Sequence, residues 1–229
     1  MKKKFIVSLA ILLVGGLSAT QAQKLKKFGS SVEKKVGPKT IKVPYTDVIS
    51  YLGYAESGNE DEVKDNKKFY YIYVWVPLAA PELGVRMVSP TDGKTKGATA
   101  SKEYTENASS KDFFDTYITL ERSDIVSSDG LTDSSAKTAN WVTLASNDDS
   151  SEMPKQPSGS SYNSLLRYKS EISNPTKAIT AGLYRVGFTT YKTGEVKGTF
   201  MAEVAAPIKL PGVVMAKTIE ELNAKIAAE

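Results

Sequence analysis

The chain has 229 residues, 41% hydrophobic and 24% charged, with 30 Lys+Arg against 26 Asp+Glu and neither Cys nor His. That length holds one domain with a sizeable core. The missing Cys and His exclude disulfides, thiolate and imidazole zinc sites, haem and iron–sulfur ligation, and Cys or His catalysis, leaving oxygen-ligand chemistry, carboxylate chemistry and plain binding.

The first residues carry an export pattern. Lys2-Lys3-Lys4 precedes the apolar run Phe5 to Val14, and Thr20-Gln21-Ala22 supplies a small-residue exit. The run is shorter than the roughly 20 apolar residues a bilayer crossing needs, so it reads as a signal peptide over residues 1–22 rather than a membrane span. Leu17-Ser18-Ala19-Thr20 also fits a bacterial lipoprotein cleavage box, with Thr where the lipid-bearing Cys belongs. Loss of Lys2, Lys3 and Lys4 leaves 27 basic against 26 acidic groups, a net charge of +1, so the alkaline balance of the whole chain gives no support to nucleic-acid binding.

The remaining chain, 23–229, reads as a single domain. It begins with a basic arm over 23–38, either mobile or a loosely tied first strand. Val43 to Tyr54 is β-branched and aromatic, and a polar loop follows from Glu56 to Lys68. Phe69 to Val76 has no polar face, which predicts a central strand covered on both sides. Its stripe Phe69, Tyr71, Tyr73 and Trp75 reads as core in preference to a stacking platform for a ligand. Leu83 to Val88 is a short strand. In Phe113 to Arg122, Phe114, Ile118 and Leu120 alternate with Asp115, Thr119 and Glu121. Leu183–Tyr191 and Val196–Ala205, across Lys192-Thr193-Gly194-Glu195, predict a hairpin. Polar loops fill 92–112, 123–139 and 145–161. Thr218-Ile219-Glu220-Glu221 is a capping box opening a terminal helix with Ile219, Leu222 and Ile226 on one face. Many short strands between Gly/Pro/Asp turns, with one terminal helix, predict an all-β, jelly-roll β-sandwich with long loops.

Three chemistries can be weighed. Ser134-Ser135-Ala136-Lys137, Ser161-Tyr162-Asn163 and Lys192-Thr193-Gly194 reproduce in order the motifs of serine penicillin-binding proteins and β-lactamases. That mechanism needs the Lys desolvated on a buried helix, whereas this Ser134 segment is polar throughout, so acyl-enzyme chemistry ranks last among the readings. Asp115, Glu121, Glu195 and Glu203 are acids whose spacing selects no glycosidase pair. Asn147-Asp148-Asp149, among Ser146, Ser150, Ser151 and Glu152, offers hard oxygens to a cation, although a double-Asp loop is more often simply solvated and no EF-hand spacing exists.

Several ordered blocks resemble one family. Tyr70 to Pro77, Glu82 to Thr91, Phe114-Asp115-Thr116, Tyr162 to Leu165, Gly182 to Arg185, Phe188 to Lys192, Gly194 to Gly198 and Glu220-Glu221-Leu222 are similar to the major outer-membrane surface lipoprotein of pathogenic leptospires. The resemblance runs from about Pro44 onward, with divergent loops at 92–112 and 123–160. It implies a non-enzymatic, exported jelly-roll protein of the outer membrane or cell surface that binds Ca²⁺ and adheres to extracellular-matrix or other surface macromolecules. It also implies the calcium ligands: Asp115 and Thr116, Asp148 and Asp149, and Tyr162 through its carbonyl. In a regular strand Asp115 and Thr116 point to opposite faces, so a bulge, a backbone oxygen or a strand end must reconcile them. The shortened acidic run predicts weakened affinity. The alternatives are a purely structural envelope protein and a carboxylate- or serine-dependent hydrolase. An exposed edge strand leaves a homodimer open, with no residue singled out.

Overall fold

The computed structural model describes residues 29–229, so the segment read as a signal peptide (1–22) and the first part of the basic arm (23–28) lie outside the described residues. In chain order come β1 (Gly29–Val36), β2 (Lys39–Pro44), β3 (Asp47–Ala55), β4 (Glu62–Lys64), β5 (Lys67–Val76), β6 (Glu82–Val88), β7 (Thr99–Ala100) and helix α1 (Lys102–Asn107). There follow β8 (Tyr117–Arg122), α2 (Asp133–Thr138), β9 (Val142–Asn147), β10 (Ser164–Lys169), β11 (Gly182–Thr189), β12 (Gly198–Ala206), β13 (Val214–Ala216) and α3 (Ile219–Ala228).

These strands build the expected β-sandwich. One sheet has the order β10-β6-β12-β3-β7, the other β13-β5-β11-β8-β9 with β4 added to β5, and β1–β2 forms a separate ribbon. All pairings are antiparallel except β3 with β7. Between the sheets lies the main core, where Tyr70, Ile72 and Val74 of β5 meet Leu83, Val85 and Met87 of β6 and Phe200, Ala202 and Val204 of β12. A chain of rings (Tyr70–Phe188, Phe188–Phe200, Phe114–Phe200) runs through it with centroids 4.6–6.4 Å apart.

Both outer faces are covered as well, which explains the unbroken apolar strands. Helices α2 and α3 lay Ala136, Ile219 and Leu222 over Trp75 and Leu183. On the other side Tyr104 of α1 and Met153 cover Leu52, Val88 and Met201. The aromatic stripe of β5 is therefore structural: Phe69, Tyr71 and Trp75 are buried, and the Arg185 guanidinium stacks 3.6 Å from the Tyr71 ring centre and 4.2 Å from that of Trp141. Helix α3 starts where the capping pattern places it, the Thr218 hydroxyl accepting from the Glu221 amide.

Three expectations are corrected. Strands β11 and β12 do not pair with each other: β11 joins β5 and β8, while β12 joins β3 and β6 in the opposite sheet. Residues 190–197 therefore cross between sheets, because β12 is buried along its whole length and pairs on both edges. The loop read over 56–68 contains β4 and turns into β5 through Asp65 and Asn66, both at positive φ (51° and 59°), the signature of a two-residue type I′ turn. The polar stretches at 92–112, 123–139 and 145–161 hold β7 and α1, then α2, then the end of β9. In the basic arm, residues 29–36 are a strand paired with β2.

Candidate metal centre

The irregular segment Phe113–Thr116 precedes β8, whose ladder to β11 begins at Tyr117. Asp115 and Thr116 thus sit at a strand end, free of the alternation that would send them to opposite faces. Phe114 anchors the segment in the core. Strand β9, paired with β8 from Ile118↔Asn147, delivers Asp148 and Asp149 beside Asp115 at the same end of the sheet. One oxygen from each of the three carboxylates lies within 4.8 Å of the others.

Tyr162 comes up from the third segment, just before β10. The Thr116 amide donates to the Tyr162 carbonyl at 3.0 Å and the Thr116 hydroxyl to the same oxygen at 3.2 Å. The Thr116 side chain also reaches the Ser164 hydroxyl at 2.8 Å. Ser164 in turn hydrogen-bonds the backbone carbonyls of Thr116 and Asp148. All five residues named by the resemblance therefore converge. They fall into two sets: three acids grouped around one point, and a Thr116–Tyr162 strut whose oxygens already share hydrogen bonds.

The bridging roles of the supporting residues carry no signal in the sequence. Gln156, inside a Ser/Pro loop and 3% exposed, donates its side-chain amide to the carbonyls of Ser89 (2.8 Å), Phe114 (2.6 Å) and Tyr162 (3.4 Å). Asn163 accepts from the Ser89 amide and donates to the Pro154 carbonyl, closing the 148–163 loop onto the sheet. Asn147 donates to the Leu165 carbonyl at 2.6 Å, tying β9 to β10. Side-chain amides that bridge loop carbonyls look like ordinary polar loop residues until the fold brings those carbonyls together.

The electrostatics of the cluster are unfavourable as they stand. Burial, then the charges of Asp148 and Asp149, push the Asp115 carboxyl up to about 6, with Lys192 opposing. Burial and Asp149 raise Asp148 against the pull of Lys67 and Lys192, and burial raises Asp149. Asp115 Oδ1 and Asp148 Oδ1 are buried with no hydrogen-bond partner. A buried acceptor left unpaired costs roughly 1–3 kcal/mol, more when charged, and a positive group at this point would remove that cost for both oxygens. The all-oxygen donor set fits a hard cation. Two ligands each about 2.3–2.6 Å from one calcium ion can stand up to about 5 Å apart, which the spacing of this cluster satisfies.

The three other acids weighed for glycosidase chemistry are already engaged. Glu203 pairs with Arg86 and accepts from Ser50. Glu121 holds Arg185 at 2.7 Å, and exposed Glu195 holds Lys68 at 3.0 Å. In the serine motif, Lys137 lies exposed on α2, so the desolvation that would activate its amine is missing.

Comparison with curated proteins returns no match. A profile of the family described as surface lipoprotein of Spirochaetales order matches residues 39–215. The matched span takes in both sheets, the 115–116 segment, the 148–163 loop and Tyr162, and it places the protein at the cell surface. Among the described residues no helix is long and apolar enough to cross a membrane. The chain belongs to the surface lipoprotein family of the order Spirochaetales.

Proposed function

We propose that this surface protein binds one calcium ion at the junction of Asp115–Thr116, Asp148–Asp149 and Tyr162, and that it acts as a non-enzymatic adhesion or ligand-binding module. The observation that carries the metal reading is the pair of orphaned buried oxygens, Asp115 Oδ1 and Asp148 Oδ1, inside a three-carboxylate cluster. A divalent cation there removes the repulsion among the acids and supplies both missing partners. The three carboxylates would hold the ion. Thr116, Tyr162, Ser164 and Gln156 keep the three segments in place, so binding would stiffen the 148–163 loop against the sheet. Asp115 also lines an open cleft of about 360 Å³ with Tyr162, Thr190, Lys192 and Lys197, which gives a bound partner polar groups of both signs beside the ion. Recognition by such a module rests on loops standing on a rigid sandwich.

Calorimetric titration of the chain with CaCl₂ tests this reading. A saturable heat that vanishes in Asp148→Ala/Asp149→Ala, with far-UV circular dichroism unchanged, is the expected result. No heat from the folded wild type would end the metal assignment.

A further inference from the structure

The β1–β2 ribbon belongs to neither sheet. Its root is tied down firmly: the Ser31 amide donates to Glu82 at 3.0 Å, the Ser30 hydroxyl to the Val43 carbonyl at 2.6 Å, and Arg167 Nε to the Gly29 carbonyl at 2.7 Å. Beyond the root, every residue from Glu33 to Lys42 is exposed. A two-residue turn, Gly37-Pro38 with Gly37 at φ 60°, closes the tip. This projecting ribbon carries Lys34, Lys35, Lys39 and Lys42 against the single acid Glu33, and none of the four lysines forms an ion pair among the described residues.

The register arranges these residues by face. Lys34 stands opposite Ile41 and Val36 opposite Lys39, and strand alternation puts all four on one face. Val36 is 53% exposed and Ile41 48%. An isolated two-stranded ribbon is only marginally stable in water, and two aliphatics left half exposed at its tip gain little from the fold itself. Aliphatic side chains flanked by lysines suit one environment well, the boundary between anionic headgroups and acyl chains: the ammonium groups meet phosphate while the apolar ends enter the hydrocarbon. The same lysines work against a second copy adding a strand to the ribbon, since like charges would face each other across the new pair.

We propose that the tip of the β1–β2 ribbon is a docking element for an anionic phospholipid surface, with Lys34, Lys39, Val36 and Ile41 as its contact face. It orients a protein of the cell surface by a contact that needs no metal. The test is co-sedimentation of the mature chain with vesicles of phosphatidylcholine alone or with 30% phosphatidylglycerol, in chelator, at low and high salt. The expected result is at least tenfold tighter binding to the anionic vesicles, weakened several-fold by raising NaCl from about 50 to 300 mM. Lys34→Gln/Lys39→Gln and Val36→Ser/Ile41→Ser should each cost fivefold or more, with the melting temperature of the sandwich unchanged. Equal binding to neutral vesicles overturns the proposal. So does wild-type binding by both double variants, which would hand the role to Lys24, Lys26 and Lys27. Loss of a dimer in sedimentation velocity, with vesicle binding intact, would instead make the occupant a second copy.

Discussion

Thr116 and Tyr162 are joined twice, the amide and the hydroxyl of one both ending on the carbonyl oxygen of the other at 3.0 and 3.2 Å. This double link carries the 115–116 segment and the 148–163 loop as one piece, so the acids of one stay beside the acids of the other. Because Thr116 is fully buried, Thr116→Val leaves Ser164 and Tyr162 short of a partner. The expected loss is about 1–3 kcal/mol in urea denaturation. A change within about 0.5 kcal/mol would mean the link does not hold the junction.

Neutralising an acid in the cluster should have opposite effects with and without metal. Asp148→Asn removes repulsion from Asp115 and Asp149, so the chelated protein should melt no lower than wild type. Calcium at a hundredfold excess over its dissociation constant should add about 2.7 kcal/mol to wild type, a rise of roughly 5–10 °C for a domain of this size, and much less to the variant. A variant that melts lower in chelator yet gains the full shift would contradict both halves.

The titration of Asp115 sets a pH dependence with a definite sign. Its carboxyl rises from 3.8 to about 6 on folding, so between those values the folded protein holds more protons than the unfolded chain. The stability this group contributes in chelator is fully present below 3.8 and is lost as pH rises through about 6. On the proposed calcium reading the ion would compete with the same proton, so its affinity should weaken as pH falls below that value. Denaturation midpoints and calcium titrations at pH 4.5, 5.5 and 7 check both trends. Stability in chelator that climbs across this window in wild type, but not in Asp115→Asn, would reverse the sign.

Tyr45 lies directly against the backbone of β6. A Cβ on Gly84 would stand 2.2 Å from the Tyr45 hydroxyl, which is the group that donates to Glu82 at 2.6 Å. Gly84→Ala should therefore destabilise by about 1–3 kcal/mol and cost distinctly less in a Tyr45→Ala background. Equal costs in both backgrounds would place the strain elsewhere.

The Arg185–Glu121 pair sits between β11 and β8 under the rings of Tyr71 and Trp141, with side chains 13% and 5% exposed. Glu121→Leu alone strands the guanidinium and should cost about 3–5 kcal/mol, while Arg185→Met/Glu121→Leu should recover most of it. A double variant no better than the single would show that the stacking, not the charge, matters here.

Much of this architecture is written locally. An apolar octet with no polar face could only be an inner strand, and β5 lies between β13 and β11 with both faces covered. A Thr-x-x-Glu pattern before spaced aliphatics marked the first residue of α3. Short elements escaped for the opposite reason. Helices α1 and α2 have six residues each, too few for a period to declare itself, and β9 reads as polar because its residues are half exposed.

Along the chain, an export pattern, the exclusion of sulfur and imidazole chemistry, the covered strands and the family blocks were all determined by residue identity and order, since each is a property of neighbours in sequence. Which strand pairs with which was not. The apparent hairpin at 183–205 splits across two sheets because β12 gains more by filling two edges between β3 and β6 than by closing a local turn. The meeting of Asp115 with Asp148 and Asp149, and the capture of Tyr162 by Thr116, likewise belong to the tertiary structure alone. Like charges repel, so nothing local assembles three acids. Only the register of β8 against β9 and the buried amides of the 148–163 loop hold them there.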